Sequence, residues 1–163
     1  MDSSKKVNTK NGLGIKPKKW TKEHSKNVQD FIKQHYAQTD PVEKLENRLF
    51  AIKLQMQDYL QNEDITEIKT VGEFIQEAIA AFKELLQISK KALAEHWETT
   101  TANLSKYLNK ERVLNVELAL KIASTLDVPA QLLLDIQIKN ELIKVGNKKD
   151  YEKEFSLEEL IRA

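Results

Sequence analysis

Cysteine is absent from this chain, which excludes disulfide bonds, thiolate metal sites and thiol nucleophiles. The three histidines, His24, His35 and His96, lack the spacing of metal ligands, so no metal site is expected. Glycine and proline number only four and three in 163 residues, and the Gly12-x-Gly14 pair is too short to be a nucleotide loop. Leu, Lys, Glu, Gln and Ala are frequent instead, which favours helices over a sandwich or barrel. No apolar run approaches the ~20 residues that span a bilayer, and the basic N-terminus lacks the apolar core of a signal peptide. These absences lead us to expect an all-α, cytoplasmic protein with no cofactor and no membrane partner.

A large net charge is lacking too, but the formal +1 hides an uneven distribution. Residues 1–26 carry eight lysines against two acids, whereas residues 27–70 carry five basic groups against eight acidic ones. Residues 71–144 are nearly balanced, nine against ten. The lysine-rich stretch 1–24 has no sustained periodicity and reads as a flexible tail, either solubilising or an arm that follows DNA.

Beyond it, Val28, Phe31, Ile32, His35 and Tyr36 fall at helical spacing from Ser25 onwards. Asp40-Pro41 then opens a second helix, in which Val42, Leu45, Leu49, Ile52, Met56 and Tyr59 alternate three and four apart. Phe50, Leu54 and Leu60 widen that seam, and packing within the chain, pairing with a second copy and docking of a partner all remain open. Residues 25–70 thus form an N-terminal helical hairpin or extension, with 61–69 as a polar connector. An apolar face from Val71 to Leu86 starts the next domain, 71–144. Ser89 and Asn115 cap further helices, Asp127-Val128-Pro129 breaks the pattern, and 132–143 supplies a fifth helical face. Residues 145–163 form a tail in which Ser156 opens a short helix.

The stretch 89–112, SKKALAEHWETTTANLSKYLNKER, carries the functional signal. It reads as two short amphipathic helices joined by a tight turn. Leu93, Ala94 and Trp97 share one face of the first, and Leu104, Tyr107 and Leu108 one face of the second. The opposite face of the second presents Thr100, Thr101, Ala102, Ser105 and Lys106, and residues 99–110 contain no acid. Hydroxyls there suit base edges, a methyl suits thymine, and a lysine suits guanine or phosphate. A helix of this kind is what a chain lays in the major groove.

Three blocks, Ser89-Lys90-Lys91-Ala92-Leu93-Ala94-Glu95, Asn103-Leu104-Ser105-Lys106-Tyr107-Leu108-Asn109 and Glu117-Leu118-Ala119-Leu120-Lys121-Ile122-Ala123, resemble the helix-turn-helix domain of the XRE, or lambda-repressor-like, superfamily. Val71-Gly72-Glu73-Phe74-Ile75 and Leu132-Leu133-Leu134-Asp135-Ile136-Gln137 are similar to the opening and closing signatures of its HigA antitoxins. The likeness covers under half the chain and leaves the first 70 residues unexplained. It implies a five-helix domain that binds a palindromic operator in double-stranded DNA as a homodimer, with a small RelE-like endoribonuclease toxin as partner. Thr100, Thr101, Ala102, Ser105 and Lys106 would then face bases, and Lys90, Asn109, Lys110 and Arg112 phosphate. Two departures stand out: Glu98 occupies the turn where the family carries glycine, and Lys110 replaces the glycine of the following loop.

Two other functional classes are open to the sequence. A protein–protein module on the same scaffold is favoured by the near-neutral charge of 71–144 and by the seam of 42–59. An enzyme is disfavoured, because no base is placed to activate the serine and threonine hydroxyls.

Overall fold

Side-chain caps open most of the described helices. A computed structural model describes residues 21–63, 67–146 and 150–162. All regular structure among them is helical. Most of the basic tail expected over 1–24 lies outside the described residues. The chain divides into two units, Met1–Thr39 and Asp40–Ala163.

Of the first unit, helix α1 (Lys22–Gln38) is described. It begins ahead of Ser25 because Thr21 caps it, its hydroxyl accepting the His24 amide while the His24 ring closes the reciprocal contact. None of its residues is buried, and Phe31 and Ile32 are exposed.

The second unit holds the hydrophobic core. Helix α2 (Pro41–Gln61) is capped by Asp40, and its seam residues Leu45, Leu49, Ile52 and Met56 are buried. They pack within the unit, chiefly on α3 (Val71–Leu86) and then on α7 (Ala130–Gly146). Val42, Phe50 and Leu54 stay exposed, so the stripe is narrower than the sequence pattern. Thr70 and Glu73 form a full capping box at the start of α3. Gly72 fits there for a steric reason: a Cβ at this position would run into the Leu108 carbonyl.

Between α3 and α7 lie α4 (Lys90–His96), α5 (Thr101–Leu108) and α6 (Val116–Leu126), capped by Ser89, Thr100 and Asn115. Phe74, Trp97, Leu104, Ile122, Leu133 and Ile136 fill the middle of the core. The Trp97 indole donates to the Thr125 hydroxyl at 2.8 Å, so its burial leaves no donor orphaned. Two short helices, α8 (Tyr151–Glu154) and α9 (Leu157–Arg162), follow; Ser156 caps the second through the Glu159 amide. No described helix is long and apolar enough to cross a membrane.

Candidate nucleic-acid interface

The connection from α4 to α5 is closed by backbone geometry. Glu98 sits at φ 55, the Thr99 amide donates to the Ala94 carbonyl at 2.9 Å, and the Glu98 amide donates to Glu95 at 3.0 Å. This pair of bonds is the Schellman closure, which places a left-handed residue at the turn. Trp97 is buried immediately before it and Leu104 is the first buried residue after it, so the helices on both sides of the turn are anchored in the core.

On α5 the inner anchors are Leu104, fully buried at 0% exposure, and Leu108 at 3%. The outer face carries Thr100, Thr101, Ala102 and Lys106, all exposed. Asn109, Lys110 and Arg112 are exposed on the loop that follows. Thr100 is the N-cap, and its hydroxyl oxygen accepts the Asn103 amide at 3.0 Å. That bond leaves the hydroxyl proton available for another acceptor.

Two residues expected on this face are held differently. Ser105 is half-buried; its hydroxyl donates to the Thr101 carbonyl at 2.9 Å and accepts from Lys90 Nζ at 2.8 Å. Lys90 is therefore tied across from α4 to α5, and both side chains brace the helix pair. Arg112 is also oriented: its Nη1 donates to Asn103 Oδ1 at 2.9 Å, and Asn103 Nδ2 donates to the Thr99 hydroxyl at 2.9 Å. This relay joins the loop, the helix and the turn, and leaves further guanidinium N–H groups for an anion.

The carboxylate of Glu98 would repel phosphate, but it is paired. Lys121 Nζ lies 2.5 Å from Glu98 Oε2 and 2.8 Å from Glu117 Oε1. The hydrogen bond from Lys121, together with its charge, holds the Glu98 carboxyl below the usual range. The two carboxylates in turn push the Lys121 ammonium up. Glu111, exposed between Lys110 and Arg112, bounds the acid-free stretch on its other side, as Glu98 does at the turn.

Sequence reading missed Lys121, Asn103 and Gln137. The Gln137 amide bridges Leu114, accepting from its N–H at 2.8 Å and donating to its carbonyl at 3.1 Å, so α7 fixes the end of the loop that carries Lys110 and Arg112. The i,i+4 spacing of Glu117 and Lys121 was readable, but the reach back to Glu98 was not. Among the described residues no three His, Asp or Glu side chains come together as metal ligands would. No protein-family model matches the chain, and neither does any curated protein or solved structure.

Proposed function

We propose that this chain is a sequence-specific DNA-binding transcriptional regulator of the lambda-repressor-like helix-turn-helix kind, acting as a HigA-like antitoxin. In that role it represses its own operon and neutralises a RelE-like endoribonuclease. One observation carries the DNA reading: α5 is anchored by Leu104 and Leu108 while Thr100, Thr101, Ala102 and Lys106 face outward in an acid-free stretch. With only hydroxyls, a methyl and one lysine at base-facing positions, direct readout is modest, and DNA shape and half-site spacing supply much of the specificity. The phosphate set becomes Asn109, Lys110 and Arg112, with Lys90 acting through Ser105.

Selection of duplexes from a random pool, followed by fluorescence anisotropy across a salt series, tests this reading. Affinity should fall steeply with salt, because each neutralised phosphate releases counterion. Lys106→Glu with Arg112→Glu should weaken binding by about a hundredfold or more while circular dichroism stays unchanged. A double variant that binds as tightly as the parent overturns the proposed surface. The antitoxin role predicts an adjoining gene for a small basic ribonuclease whose toxicity this chain relieves on co-expression. An isolated gene leaves a stand-alone regulator.

A protein–protein module is the second reading, favoured by the exposed Val113, Val116 and Leu120 beside the same loop. Partner binding that barely changes with salt would select it.

A further inference from the structure

A cavity of about 320 Å³ opens where the start of α3, the loop after α5 and the middle of α7 meet. Its volume lies at the small end of the range of small-molecule sites. Val71, Val113 and Ile68 give it apolar walls, and Gly72 adds backbone where α3 rests against the Leu108 carbonyl. Both rims are pinned by α7: Gln137 holds Leu114, and the Asn140 side chain donates to the Lys69 carbonyl at 3.0 Å. The amide groups of Gln137 and Asn140 are satisfied within the protein, since Asn140 Oδ1 also accepts the Tyr59 hydroxyl. The cavity is therefore preformed, and its amides demand nothing of a ligand.

Its charge is one-sided. Lys110, Arg112 and Lys144 line it against a single acid, Glu141, which lies 3.8 Å from Lys144. Glu73 is close enough to feel the Lys110 charge, but its Oε2 accepts both the Thr70 amide and the Thr70 hydroxyl. An apolar body with an anionic head matches this combination: the body against Val71 and Val113, the head among the three cations.

We infer that this cavity binds a small organic carboxylate, and that its occupancy withdraws Lys110 and Arg112 from DNA phosphate. The second clause rests on the proposed function; the first does not. On this account the ligand is an inducer, since one pair of cations serves either the carboxylate or the operator.

Titration of the isotope-labelled full chain with octanoate, followed by amide NMR, tests the site itself. Saturable shifts at Val71, Gly72 and Val113 are expected, with octan-1-ol and inorganic phosphate each binding about tenfold more weakly. Val113→Trp, which fills the cavity from its exposed rim, and Lys144→Glu should each weaken octanoate by about tenfold. Shifts scattered elsewhere, octanol binding as tightly as octanoate, or an indifferent Lys144→Glu would overturn the site. In the second arm, octanoate should raise the apparent Kd for DNA in the parent and leave it unchanged in Lys144→Glu. Octanoate that binds without changing DNA affinity overturns the coupling. The NMR arm reads the site without DNA, so a failed site and a failed operator reading give different results.

Discussion

Gln87, Glu98, Lys110 and Asp127 all take positive φ, between 53 and 66°, where helices α3 to α6 end. Three of these ends close in the same way, because Thr99, Glu111 and Val128 each donate to the carbonyl five residues back. Glycine is the usual residue at such a position, since a Cβ in the left-handed region costs about 1 kcal/mol. Asp127→Gly should therefore raise unfolding stability by about 1 kcal/mol, read as a higher midpoint in chemical denaturation. An unchanged or lower midpoint would mean that the Asp127 side chain contributes a compensating bond. The Thr70 amide holds the Glu73 carboxyl below its ordinary value, as Lys121 does for Glu98. Such a group stabilises the fold above its unfolded pKa, and that contribution is lost as pH falls through the lower, folded value. The thermal midpoint should thus decline on the acid side of the carboxylate range, and Glu73→Gln should flatten that decline. A Gln variant with the same acid limb as the parent would mean that the Glu73 carboxylate does not set that limb.

At the scale of elements, the least expected device is the way α7 finishes α2. Lys139 Nζ donates to the carbonyls of Tyr59, Leu60 and Asn62 at 2.8, 3.0 and 2.6 Å, and lies over the Tyr59 ring. Terminal carbonyls have no partner within their own helix, and a cation there also meets the negative end of the helix dipole. Lys139→Ala should cost about 1–2 kcal/mol and loosen the last turn of α2 first, seen as faster hydrogen exchange at its final amides. Uniform loss of protection across the core would instead make Lys139 a general packing residue. Much of the element order was legible in the sequence. The apolar run Val71–Leu86 is α3, and Ser89, Asn115 and Ser156 cap the helices that follow them. Caps and periodicity are local, so a sequence window contains them whole. The hydrogen bonds of Lys139 and Gln137 join distant segments, and that of Lys90 crosses from one helix to the next; all three look like ordinary surface residues until packing brings the helices together. That is also why Lys90 and Ser105 were read as facing outward although the structure ties them to each other. On α2 the pattern over-reached, since Phe50 and Leu54 satisfy helical spacing while pointing away from the core.

For the molecule as a whole, the proposed reading of a palindromic operator would require pairing, because two-fold symmetric DNA is read by two copies of the same helix. Helix α7 offers a surface for such pairing. Its inner face buries Leu132, Leu133 and Ile136, yet Ile138, Leu142 and Val145 recur four and three residues apart on another face and are exposed. A surface helix usually keeps one apolar stripe and leaves the rest polar. A second stripe on a helix that already has a buried one fits an isologous contact, in which each copy presents the same patch to the other. The expected outcome is a dimer in sedimentation experiments at micromolar concentration, and a monomer for Leu142→Asp, which places a charge at the centre of the stripe. On DNA with a single half-site the variant should match the parent, since α5 is untouched. On two half-sites spaced by a helical turn it should lose the added affinity that comes from linking two binding events. A parent that sediments as a monomer, or a Leu142→Asp variant that keeps its two-site advantage, would move the pairing surface away from α7.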